Sequence, residues 1–240
     1  MIKFFRRIRQ KLLSENKFSK YLVYALGEIV LVVIGILIAL QINNWNEEKK
    51  NKAFEKEILE QLSANLIKDK MTLQMVTANF DHAVNSTQKI LRSNWSPMEQ
   101  DSLQYWLGDV IQFDRFQPLT NAYEVAKSKG LDLISNKQLR FLLGTYYDDA
   151  SKHAVKSIED IERVFSGHWV PFMQKEGLDF KFREYVVVRD YTIFKEDTDA
   201  KGVLRLNQDN YRSGSETIKI VIGIIEKLQA LIKEELDAME

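Results

Sequence analysis

The stretch GEIVLVVIGILIALQ, from Gly27 to Gln41, sets the plan of the whole chain. Between Tyr21 and Ile42 only Glu28 and Gln41 are strongly polar, and about 20 mainly apolar residues at 1.5 Å each cross a hydrocarbon layer of roughly 30 Å. The reading is one transmembrane helix over 21–42. Tyr21 and Tyr24 at one end and Trp45 at the other are amphipathic rings that favour the membrane interface. A cleaved signal peptide is the competing reading. Such peptides have an apolar core of about 7 to 15 residues and a small-x-small cleavage site. This core is longer, and Ala39-Leu40-Gln41 is a poor site.

Charge gives the span a direction. The first 20 residues hold Lys3, Arg6, Arg7, Arg9, Lys11, Lys17 and Lys20 against Glu15 alone, in a chain whose formal net charge is zero. Beside an apolar run this basic tail is matched to an anionic membrane face, at about 1 kcal/mol per basic residue near the surface. Nucleic acid is not an expected partner. After the span only Lys49, Lys50, Lys52 and Lys56 lie within 20 positions. The larger basic flank places the tail in the cytoplasm and the large C-terminal part on the other side of the membrane. The chain has no cysteine, which excludes thiolate catalysis, disulfides and Cys-based zinc sites.

Glu28 is the anomaly of the span. At 100° per residue Gly35 and Ala39 each fall within about 20° of it, and Tyr24 within about 40°. With the span centred near residue 31 or 32, Glu28 lies about 5 Å from the midplane, too deep for a short carboxylate to reach the headgroups. The expected helix interface is therefore Glu28, Gly35, Ala39 and Tyr24, with Gly35 and Ala39 as a small-x-x-x-small pair. The partners expected are lipids and other membrane subunits, or a second copy joined through this helix.

Beyond the span the pattern is helical. Leu59, Leu62, Leu66, Leu73, Val76, Phe80, Ala83 and Ile90 form a seam broken by Asp69 and Thr87, which predicts a long stalk-like helix over 43–92. Ser96-Pro97-Met98-Glu99 is a capping box with proline at the first helical position. Its helix should run toward Val110 or Gln112. Pro118-Leu119-Thr120 opens another helix, stopped near Gly130. Ser135-Asn136-Lys137-Gln138 reads as a second capping box, with Ser135 as the cap of a helix reaching Gly167 or, past a bend near Pro171, Gln174. The run FKFREYVVVRDYTIF predicts a small hairpin near 180–195. A last helix is expected from about Glu216 to Glu240, with Ile220, Ile224, Leu228, Leu231 and Leu236 inward. The fold class is mainly α: a basic tail over 1–20, one transmembrane helix, and a helical extramembrane domain over 93–240 that packs with the stalk helix.

No catalytic residue, cofactor or metal site is predicted. His82, His153 and His168 are far apart and lack a His-x-x-x-His spacing. Adjacent acids such as Asp148 and Asp149 point to different helix faces. The segments IKFFRRIRQKLLSENKFSKYLVYALGEIVLVVIGILIALQINNWNEE, from Ile2 to Glu48, and NAYEVAKSKGLDLISNKQLRFLLGTYYDD, from Asn121 to Asp149, resemble those of a family of single-span Bacteroidota proteins catalogued as a domain of unknown function. That resemblance implies a protein of a Gram-negative cell envelope and carries over no catalytic residue. The expected role is an interaction, assembly or accessory subunit of a cell-envelope complex. The alternatives are a proton-coupled motor-type subunit using Glu28, and a ligand-sensing or enzymatic domain.

Overall fold

The computed structural model describes residues 18–195 and 198–239. The chain forms two compact units, Met1–Phe54 and Glu55–Glu240. Helix α1 runs Phe18–Arg92 and contributes to both.

In the first unit one helix is long and apolar enough to cross a membrane. Every Val, Leu and Ile side chain from Leu22 to Ile42 is exposed in the single chain. Full burial of each such side chain is worth about 1.5 to 3 kcal/mol. A surface of this kind therefore calls for lipid or another helix.

The second unit is a bundle whose elements alternate in direction. Its first member is α1 from Glu55, and every apolar residue of the predicted seam is buried there. The seam closes on the chain's own later helices. Helix α2 is Pro97–Val110, where the Glu99 carboxylate accepts from the Ser96 backbone N–H and hydroxyl at 3.1 and 2.9 Å. After Val110 the chain leaves the helix and continues as an irregular strap over 111–120, running back along α1. Helix α3, Asn121–Lys129, ends at Gly130 as predicted.

The third member is a rod of three helices, α4 (Lys137–Gly144), α5 (Ser151–Val164) and α6 (Val170–Glu176), joined by π turns over Thr145–Ala150 and Phe165–Trp169. Pro171 lacks the N–H that an α-helix interior needs, and the π turn just before it re-spaces the ladder so that the helix continues. The cap of α4 is Asn136, whose side chain accepts from Gln138 N at 2.9 Å and Leu139 N at 3.0 Å. This corrects the expectation for Ser135. Its N–H and hydroxyl both donate to the buried Glu55 carboxylate, 80 residues earlier. Either side chain has cap chemistry, and a distant carboxylate decided between them.

Strands β1 (Gly177–Lys181) and β2 (Tyr185–Val188) pair antiparallel, with an irregularity between Gly177 and Asp179. The hairpin is thus centred slightly earlier than predicted. It packs over α2, and its Val186 joins Leu107, Trp169 and Phe194 in a core around the C-terminal end of α1.

The last member, α7, runs Asp199–Ala238 with Thr198 as cap, 17 residues longer at its start than predicted. The segment Ser213-Gly214-Ser215, just before the predicted start at Glu216, is helix interior. A Cβ on Gly214 would come within 2.8 Å of the Phe80 ring, so this glycine marks close approach of α7 to α1. Ser215 and Lys219 donate to Asp81 across the same contact at 2.7 and 3.1 Å. Burial raises the Asp81 pKa, but these two donors outweigh it and hold the carboxyl below its ordinary value. The inward face is Ile218, Val221, Ile225, Leu228 and Ile232. Ile220 is exposed, and Ile224, Leu231 and Leu236 are half-buried. Only Leu228 of the predicted set is fully inside, because phasing from a false start rotated the face.

Candidate functional site

Tyr24, Glu28, Gly35 and Ala39 all lie on the first-unit part of α1. Tyr24 and Glu28 are half-buried, whereas Gly35 and Ala39 are exposed. A Cβ built on Gly35 meets nothing within 4 Å. That position has room for a neighbouring helix and no internal packing that needs glycine. The basic residues Lys3, Arg6, Arg7, Arg9, Lys11 and Lys17 lie outside the described residues, and Lys20 is placed only by its backbone at the start of α1.

The second unit holds a polar hub that periodicity alone did not disclose. A buried irregular segment needs partners for its backbone groups, and the strap 111–120 takes them from side chains of three other elements. Asp69, on the seam of α1, accepts from Leu119 N at 3.2 Å and from the Tyr146 hydroxyl at 2.7 Å. Asn65, one turn earlier, donates to Leu119 O at 3.3 Å and to the Asn121 side chain at 2.7 Å. From α7, Tyr211 Oη lies 3.1 Å from Val110 O and 3.0 Å from Gln112 O, and Asn207 donates to Val110 O at 3.3 Å. Asp114 within the strap is buried. It accepts from Asn79 Nδ2 at 3.0 Å and from Arg183 Nη2 at 2.6 Å, and Arg183 also reaches Phe113 O at 2.8 Å.

The electrostatics follow from burial. Asp69 is pushed above its ordinary value by loss of water, and the Tyr146 and Leu119 hydrogen bonds only partly offset that. Tyr146 is raised by burial and then by the facing Asp69 carboxylate. Tyr147 rises mainly through burial, and its hydroxyl has no hydrogen-bond partner among the described residues. Its ring stacks on Tyr123 at 4.5 Å. The Tyr123 hydroxyl donates to Asp148 at 2.7 Å and, with Lys127, lowers that carboxyl despite some desolvation. Two tyrosines and two acids are thereby fixed in structural hydrogen bonds.

Two adjoining grooves, about 430 and 610 Å³, separate the strap from α5 and share Phe116, Gln117, Val155 and Glu159 in their walls. Of the charged side chains on their walls, Arg115 pairs with Glu162 at 2.6 Å and Arg163 with Asp160. Another groove of about 410 Å³ lies between α5 and α7 over the first π turn. His153, on its wall, is 3.3 Å from Asp149.

The break at Asp69 was the available signal for the hub. An acid in the middle of an apolar seam must be satisfied from outside its helix, although the sequence did not show by what. No curated protein matches the chain, and no solved structure does. Over residues 28–99 it matches the model of a family of unknown function (DUF6090), a span that runs from Glu28 to the Glu99 that closes the capping box of α2.

Proposed function

We propose that the chain is a single-span protein of the inner membrane of a Gram-negative bacterium of the Bacteroidota. Its tail is cytoplasmic and its helical unit periplasmic, and it serves as an interaction or accessory subunit of a cell-envelope complex. The observation that carries this reading is the exposed apolar helix over 22–42, joined to a unit whose buried polar groups are spent on holding its own strap. The basic residues before the span support the orientation. Glu28 and the open face at Gly35 and Ala39 form the stripe proposed to meet a partner helix.

Purification of the full chain from mild detergent tests the association. The space around Gly35 is open within the chain, so Gly35→Ile leaves the protein itself undisturbed, and any loss of co-purifying protein reports a neighbouring helix. The expected result is that Gly35→Ile sheds its partners while Glu28→Gln, which keeps a hydrogen bond, retains both partners and cellular function. An assembled but inactive Glu28→Gln complex would favour proton transfer through Glu28 instead. Unchanged complexes with Gly35→Ile and with Glu28→Ala would remove the stripe as an interface.

A further inference from the structure

The hydrogen bonds that hold the strap's backbone lie toward its ends. Val110 and Gln112 are tied by Asn207 and Tyr211, Phe113 O by Arg183, and Leu119 by Asp69 and Asn65. Between them, the backbone N–H and C=O groups of Asp114, Arg115, Phe116 and Gln117 make no hydrogen bond among the described residues. Burial alternates along the same stretch. Gln112, Asp114 and Phe116 are buried, whereas Arg115 and Gln117 are exposed, which is the two-residue period of a strand. The middle of the strap is thus a strand without a neighbour, and it borders the two grooves that separate it from α5. At about 3.3 Å per residue the open edge is roughly 13 Å long. Pro118, which has no N–H to offer, closes it at one end.

We infer that this edge receives an extended segment of a partner protein, in which acidic residues alternate with β-branched ones. The backbone selects the occupant. A row of unpaired N–H and C=O groups is a template for another chain. A helix has its own backbone groups paired internally, and a lipid or small ligand does not repeat donor and acceptor at strand spacing. An extended polypeptide matches the row, with its main chain supplying affinity and its alternate side chains specificity. The facing wall sets the side-chain preference. Phe116 and Ile158 are buried there and Val155 is half-buried, which suits branched apolar side chains at alternate positions. On the same wall Lys152 and Lys156 are exposed and close no ion pair among the described residues, against Glu159 alone in that state. Arg115 and Arg163 are already paired. The wall therefore keeps an excess of positive charge that an acidic strand complements. The inference deepens the subunit role proposed above by naming the form of a partner, and the groove lies wholly within the second unit.

The probe is a short peptide of alternating Glu and Val, added to the full chain in detergent at up to about 1 mM, with hydrogen exchange read over 111–120. At about ten times its Kd the peptide should slow exchange about tenfold at alternate amides of 114–117. The same peptide methylated at its backbone nitrogens keeps every side chain and loses its donors, and it should give no protection. A peptide of alternating Lys and Val should bind about fivefold more weakly. The double variant Lys152→Glu, Lys156→Glu, altered only at exposed positions, should reverse that order. Unchanged exchange with the Glu and Val peptide, or equal protection by its methylated form, would overturn the inference. So would a double variant with an unaltered melt that keeps the original order. Each of these results leaves the span's own association standing, because Gly35→Ile tests that separately.

Discussion

Asp69→Ala is expected to destabilise the second unit by about 2 to 4 kcal/mol, because it strands two buried donors, Leu119 N and the Tyr146 hydroxyl. The loss should appear first in the strap. Hydrogen exchange over 111–120 should quicken, whereas the apolar seam of α1 stays protected. A second arm uses pH. Asp69 has a folded-state pKa above the ordinary 3.8, so the native state holds the proton more tightly than the unfolded state. Its contribution is therefore fully present below 3.8 and is lost as pH rises through the folded value. Asp69→Asn keeps an acceptor and removes that titration. Compared with Asp69→Asn, the natural chain should lose stability as pH rises above about 3.8. Denaturant titrations followed by tryptophan fluorescence at several pH values check this. A difference between the two proteins that stayed constant with pH would mean that Asp69 is not the buried titrating group described here.

Gly108→Ala should be nearly as damaging by a steric route. A Cβ at position 108 would fall 2.4 Å from Glu184 O and 2.8 Å from Tyr185 N. These are backbone atoms of the hairpin and cannot swing aside as a side chain would. The turn is further pinned by Arg183, a non-glycine residue at φ 67°, whose guanidinium is clamped by Asp114 and Phe113 O. A methyl group must push the whole hairpin off α2 and disturb the core around Val186 and Trp169. The expected loss is about 3 kcal/mol, at the upper end for overpacking, with faster amide exchange over 177–188. An unchanged melting midpoint with a protected hairpin would contradict the docking.

These two sites show where the sequence was readable and where it was not. Periodicity and caps are local signals, and the α1 seam, the capping box at Ser96 and the stop at Gly130 could all be read from them. Ser135 and Asn136 have the same local chemistry, so the choice between them depended on Glu55, which is distant in sequence. The Ser213-Gly214-Ser215 segment has the composition of a break, yet Gly214 is needed for the approach of Phe80. The strap has no period at all. Its path is fixed by Asn65, Asp69, Asn79, Asn207 and Tyr211, and their roles appear only once the elements are side by side. For the span, the exposed apolar surface of α1 agrees with the sequence reading.

Topology tests the central claim most directly. With Phe141→Cys as the only thiol, cells with a permeabilised outer membrane and an intact inner membrane are treated with a membrane-impermeant maleimide. If the chain is anchored by residues 21–42 with its helical unit in the periplasm, Cys-labelled protein forms before lysis and stays with the membrane fraction. Labelling only after the inner membrane is broken would place the unit in the cytoplasm and contradict the account.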